Sequence, residues 1–365
     1  MTTTFRLRGV RSVAVPWAAP VPRAAIVPVF LPYFGCPHRC LFCAQEAQTG
    51  VAASACLADL LASARARLAE RAARGLPPAE LAFYGGTFTA LPEAALAACL
   101  DLAAGARRAG LITAFRCSTR PDAVDAAGLA RLAAAGCATV ELGVQSFADA
   151  ALALTARGYT GAEARGACGL VSASGMNLVA QLLPGMPGNT PEDFLYDVRI
   201  ALSLGARGLR FYPCLVIEGT GLAALWRAGD YAPWDMATTL ETLARGWLLA
   251  HKAGASVLRM GVAPGEELRR ALLAGPWHAA LGSRVLGRAL LLAGAELARG
   301  LVPPGPQPGE RAHFHLDAPA FAQGHFWGHA GELRDAWTRL GLASVHFIRE
   351  PLLRLRLEGE GAAHQ

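Results

Sequence analysis

Residues 25–43 read AIVPVFLPYFGCPHRCLFC. The first half, residues 25–33, is rich in Val, Ile, Phe and Tyr and reads as a strand. It runs directly into Cys36, Cys40 and Cys43, spaced C-x3-C-x2-C. Thiols placed after a strand lie at its C-terminal end, where α/β barrels keep their active sites. Thiolates are soft ligands that suit iron–sulfur clusters or zinc. Most electron-transfer clusters are closed by four cysteines, and structural zinc takes four ligands. The nearby fourth candidate is His38, cramped inside the loop between the first two cysteines. The triplet therefore favours a cluster with one iron left open over a zinc site.

Downstream, short β-rich runs alternate with Ala/Leu-rich amphipathic stretches. Strands are expected over residues 80–84, 112–117, 138–144, 177–183 and 208–212. Helices are expected over 52–74, 92–108, 122–135, 148–154, 161–174 and 191–204. Together with residues 25–33 this makes six βα units, which implies parallel strands joined by right-handed crossovers. After Pro213 the regularity weakens, with a helix over 236–252, a strand over 256–260 and a Pro/Gly-rich loop over 301–309. Periodicity alone fits a doubly wound sheet as well as a partial barrel.

With aromatic Phe42 before the last cysteine, the pattern C-x3-C-x-Φ-C resembles the signature of the radical S-adenosylmethionine (SAM) superfamily. The resemblance implies a [4Fe–4S] cluster on Cys36, Cys40 and Cys43, with SAM chelating the open iron through its amino and carboxylate groups. It further implies one-electron cleavage of SAM to methionine and a 5′-deoxyadenosyl radical that abstracts hydrogen from a substrate. Oxygen sensitivity and an electron donor of the flavodoxin or ferredoxin type come with it.

Other strand ends carry phrases similar to family motifs. In FYGGTFT (83–89), Gly85, Gly86 and Thr87 fill the glycine-rich motif that grips the methionine amino group, since glycines let backbone approach a ligand closely. A plain tight turn is the bland alternative. In CSTRPD (117–122), Ser118 stands where relatives often place a Glu that contacts SAM; here Asp122 and its neighbours also read as a cap for the following helix. In VELGVQSF (140–147) and TARGYT (155–160), Gln145 and Arg157 resemble residues that contact the ribose and carboxylate of SAM, and the planar fork of Arg suits a carboxylate. Glu141 reads equally as facing solvent or the barrel interior. NLVAQLLPGMPG (177–188) resembles the loop beside the adenine, and RFYP (210–213) ends the sixth strand.

Motifs at the ends of all six strands favour a barrel, because doubly wound sheets concentrate ligands at one switch point. The expected fold is α/β: a partial (β/α)6 TIM-like radical SAM barrel with a small α+β C-terminal extension. The expected partition is an N-terminal segment 1–24, a radical SAM core 25–234 and an extension 235–365.

YFGCPHRCLFC, STRPD, VELGVQSF, ARGYT and RFYPCLVIEGTGLAALWRAGDYAPW resemble the radical SAM half of the Elongator catalytic subunit. No acetyl-CoA loop stands out after His278, so the chain resembles a stand-alone bacterial relative without the acetyltransferase. The substrate is left open, with tRNA a candidate, and no catalytic side chain is assigned. Haem-handling oxidases match more loosely. The rival reading is a non-catalytic module that uses cluster and SAM structurally while holding tRNA or haem.

Composition bounds the rest. Of 365 residues 53% are apolar and 17% charged, which excludes a disordered chain. The net charge of +6 rests almost wholly on Arg and includes no block of like charges, so it argues little for a nucleic-acid surface. No membrane span or convincing signal peptide appears, and a cytoplasmic protein is expected. The other six cysteines are single and read as small buried hydrophobes. His313, His315, His325 and His329 tempt a second metal site, but read as packing or surface residues.

Overall fold

The computed structural model describes residues 3–7, 10–19, 24–301 and 313–357; the loop expected over 301–309 lies almost wholly outside them. Two compact units emerge. One comprises residues 23–242 and 252–279, the other 1–22, 243–251 and 280–365.

The first unit is built on a parallel sheet of seven strands: β1 Ile26–Phe30, β2 Ala79–Tyr84, β3 Ile112–Thr119, β4 Cys137–Gln145, β5 Asn177–Leu182, β6 Gly208–Phe211 and β7 Ser256–Met260. Each strand pairs with its successor, so the order in space is the order in sequence, and β1 and β7 form the two edges. The barrel has seven strands rather than the expected six. Helix Met236–Lys252 and β7, both expected as elements after Pro213, supply one more crossover and one more strand, and β7 joins the parallel sheet beside β6.

The crossover helices start where local chemistry dictates. Thr160 and Thr190 each build a reciprocal capping box, with Glu163 and Asp193, and Pro191 opens its helix. Asp125 rather than Asp122 caps helix Ala126–Ala134, accepting from Gly128 N at 2.7 Å. Asp122 instead forms a two-pronged pair with Arg120.

Alternate residues of the strands serve different solvents. Val27, Val29, Leu81, Phe83, Phe115, Cys117, Val140 and Leu142 are buried under the helices, with Phe83 stacked on Phe88 and set edge-on to Phe115. The opposite face is polar: Glu80, Arg116, Glu141, Gln181 and Arg210 are linked by ion pairs and hydrogen bonds. Arg116 bridges Glu80 and Glu141, and Arg210 Nε lies 2.7 Å from Glu141 Oε2. Gln181 Nε2 donates to Glu141 Oε2 at 3.0 Å. Arg210 of β6 also donates to the Tyr84 hydroxyl of β2 at 3.0 Å. Strands four apart in a flat sheet would be separated by about 19 Å, so this bond requires a sheet curled on its polar face.

The second unit holds a five-stranded mixed sheet in the order Thr3–Leu7, Val10–Pro16, Leu352–Leu357, Phe314–Pro319, Leu342–Ile348. Helix Leu281–Leu301 buries Val285, Ala289, Leu290 and Leu297. Trp337 is fully buried, stacked on Phe326 at 4.5 Å, and donates its indole N–H to Phe326 O. His315 and His325 pair with Ser344 and Ser283 respectively, and His313 is exposed. Among the described residues no helix is long and apolar enough to cross a membrane.

Candidate active site

The cysteine loop leaves β1 and folds against the turn after β2. Gly35, at φ 71°, lies so close to that turn that a Cβ would sit 2.4 Å from Thr87 O. Gly86, at φ 59°, returns the contact, since its Cβ would sit 2.3 Å from Phe34 O. No other residue fits either position without moving backbone. Thr87 N donates to Phe34 O at 2.7 Å, and Thr87 Oγ1 lies 3.3 Å from Cys36 Sγ.

Gln45, which sequence reasoning passes over, locks the assembly. Its Oε1 accepts from Tyr33 N at 2.9 Å and from Gly86 N at 3.0 Å. Its Nε2 donates to Cys43 Sγ at 3.6 Å.

Cys36, Cys40, Phe42, Cys43, Gly85, Gly86, Ser118, Gln145 and Arg157 all line one cavity of about 320 Å³. Of the expected site residues Thr87 alone stays out of it, fully buried behind Cys36. Among the described residues, no three His, Cys, Asp or Glu side chains converge on one metal ion. The three thiols share a cavity rather than a point.

Arg157 dominates the electrostatics of the thiol end. It is 5% exposed. Its Nη1 donates to Cys40 Sγ at 3.0 Å and its Nη2 to Gly143 O at 2.7 Å. The Tyr159 hydroxyl accepts from Nε and Nη2. No carboxylate among the described residues pairs with it. Arg120 also donates to Cys40 Sγ, at 3.6 Å, with its charge shared by Asp122.

A buried guanidinium that lacks a carboxylate calls for an anion in the same cavity. Burial pushes the Cys43 thiol up to about 11, with the neighbouring Cys40 adding to it, and burial likewise raises Cys36. Metal ligation must displace those protons. Three soft sulfurs and an unpaired buried cation fit an iron–sulfur cluster carrying an anionic ligand.

Strain concentrates here. Tyr33, Gln145 and Ala156 have φ of 62°, 66° and 54°, a region non-glycine residues avoid. Tyr33 and Gln145 line the cavity, and Ala156 O bonds His38 Nε2 at 2.8 Å. Asp197 holds the backbone just past Gln145, accepting from Ser146 Oγ at 2.7 Å and Phe147 N at 2.8 Å. Ser118 sits on the cavity wall beneath Gln181 Nε2, 3.4 Å away.

Residues 30–200 match the profile of the radical SAM superfamily, and residues 206–288 match the radical SAM C-terminal domain. The chain belongs to the radical SAM superfamily. A tRNA uridine(34) acetyltransferase of Methanocaldococcus infernus is 28% identical over 267 residues, 60% of this chain and 48% of that relative. Human Elongator complex protein 3 is 33% identical over 130 residues, 35% of this chain and 24% of the relative. The chain thus spans less than half the length of these relatives. The solved archaeal Methanocaldococcus infernus Elp3 superposes with a TM-score of 0.57 at 23% identity, over 76% of this chain and 63% of that one, a likeness of fold.

Within the superfamily the cavity gains its frame of reference: SAM and a [4Fe–4S] cluster are the family's cofactors. Glu141, whose orientation the sequence left open, lies inside the barrel at 0% exposure.

Proposed function

We propose that this radical SAM protein is an enzyme that holds a [4Fe–4S] cluster on Cys36, Cys40 and Cys43, binds SAM beside it and cleaves SAM reductively to act on a substrate. The observation that carries the reading is the meeting of three thiols and the carboxylate-free Arg157 in one cavity. What the bound cofactors supply is one-electron scission of a carbon–sulfur bond, giving methionine and a 5′-deoxyadenosyl radical that takes hydrogen from the substrate.

The chain's own residues do the rest. Arg157, whose Nη1 keeps one N–H beyond the bonds to Cys40, Gly143 and Tyr159, offers that donor and its buried charge to the SAM carboxylate while holding Cys40 in place. Gly85 and Gly86 let the backbone approach the methionine end. Gln145, held in a strained conformation by Asp197 through the next two residues, faces the ribose. Phe42 and the buried Cys40 keep water from the thiol end. An electron carrier of the flavodoxin or ferredoxin type delivers the electron.

Three curated relatives are named for acetyl transfer to tRNA uridine(34). We take from them RNA as the substrate class and not the transfer, since the chain matches only part of each.

The test is spectroscopic. Anaerobically reconstituted protein is reduced and its electron paramagnetic resonance recorded with and without SAM. Binding of SAM at an open iron shifts the signal, and Cys40→Ala abolishes it. A cluster signal indifferent to SAM, or one that survives Cys40→Ala, contradicts the proposal.

A further inference from the structure

The cavity does not end at the SAM-facing residues. Beyond Gln181 it continues along β6 and β7, where Arg210, Tyr212 and Arg259 form its wall and Tyr84, at the end of β2, meets Arg210 from across the curled sheet. Arg210 is spent on internal bonds: its charge is met by Glu141, and its Nη groups donate to the hydroxyls of Tyr84 at 3.0 Å and Tyr212 at 3.2 Å. A phenol oxygen that accepts from arginine keeps its own proton free to donate onward. Burial, with Glu141 adding to it, pushes the Tyr84 phenol up to about 12, so that proton stays in place.

Arg259 pairs in register with Arg210 across the β6–β7 ladder, which puts both side chains on the same face. Its Nε donates to Gly261 O at 3.1 Å. No carboxylate among the described residues meets its guanidinium. Glu141, the acid of this wall, already accepts from Arg116, Arg210 and Gln181. The wall therefore presents donors and one uncommitted positive charge, and its one carboxylate is fully occupied.

We infer that Tyr84, Tyr212 and Arg259 form a subsite for an anionic, acceptor-rich group of the substrate, a phosphate or a carboxylate, held against the β6–β7 wall of the cavity. This rests on the reading of the cavity as a SAM-dependent active site and adds where the substrate is gripped and by what charge. Arg259, on the edge strand and exposed, takes the anion at the cavity rim, where its fork binds two oxygens at once. The two phenols, deeper in, orient that group toward the reacting centre.

The test is calorimetric titration of the reconstituted full chain, with SAM present and the cluster left oxidised. The probes are uridine 5′-monophosphate, inorganic phosphate, succinate and uncharged uridine. The inference predicts saturable binding of at least one anion that weakens with added salt. Arg259→Gln weakens it at least fivefold and Tyr212→Phe several-fold, while the dissociation constant of SAM, read by equilibrium dialysis, does not follow. Tightest binding by the nucleotide, at least tenfold over uridine, identifies a nucleic-acid or nucleotide phosphate as the source. Tightest binding by succinate identifies a small carboxylate. No binding by any of the three anions, anion binding indifferent to both substitutions, or loss of SAM in step with the anion overturns the inference. None of these titrations needs SAM cleavage, so the cluster-and-SAM reading stands or falls separately.

Discussion

A guanidinium buried as deeply as that of Arg157 with no carboxylate beside it costs several kcal/mol in desolvation unless an anion shares its cavity. Arg157→Lys keeps a charge but loses the fork, and Arg157→Gln loses both. Both substitutions are expected to weaken SAM at least tenfold by equilibrium dialysis on the reconstituted protein, with Gln the worse; unchanged affinity would remove Arg157 from the site. Asp197 makes a second prediction at this scale. Burial raises its carboxyl from 3.8 to about 6, against the bonds from Phe147 N and Ser146 Oγ that lower it. Between those values the folded chain keeps a proton that the unfolded chain releases. The contribution is thus full below about pH 4 and is lost as pH rises through 6, on the order of 2–3 kcal/mol. Asp197→Asn removes that slope. Urea denaturation of the metal-free chain at pH 4 and pH 7 should find the variant losing stability relative to wild type at the lower pH and regaining it at the higher.

At the level of elements, the two loops that make the thiol end are fitted through glycine. Gly35→Ala puts a Cβ against Thr87 O and also forces a side chain into a left-handed conformation. It should destabilise the chain by about 1–3 kcal/mol and lower the iron bound per chain after reconstitution. Gly105→Ala, in a helix with nothing near its Cβ, should leave both unchanged or stabilise slightly. Equal iron content in the two variants would mean that the loops do not need their close fit. The cysteine loop and its Gly-Gly partner are legible in the sequence because each is a local motif at a strand end. So are helix Met236–Lys252 and strand Ser256–Met260, whose patterns are continuous. Gln45 and the interior network are not: Glu80, Arg116, Glu141, Gln181 and Arg210 come from five different strands, and no spacing announces that they meet. Thr87 matches a motif position, yet its side chain turns away from the cavity toward Cys36.

For the molecule as a whole, the curled sheet turns an apolar face to its helices and a polar one to its cavity. A ligand that binds only the folded state must then stabilise it. Reconstituted protein should melt several degrees above the metal-free chain, a chelator should reverse the difference, and Cys40→Ala should show none. A melting temperature insensitive to iron and sulfide would place the cysteines outside any cofactor site. The account turns on SAM cleavage, and one measurement reaches it most directly: anaerobic incubation of the reconstituted chain with SAM and dithionite, followed by mass spectrometry for 5′-deoxyadenosine. The account predicts that 5′-deoxyadenosine and methionine form together and that Cys43→Ala abolishes both. A chain that carries its cluster and binds SAM, yet releases no 5′-deoxyadenosine with or without added RNA, would contradict it.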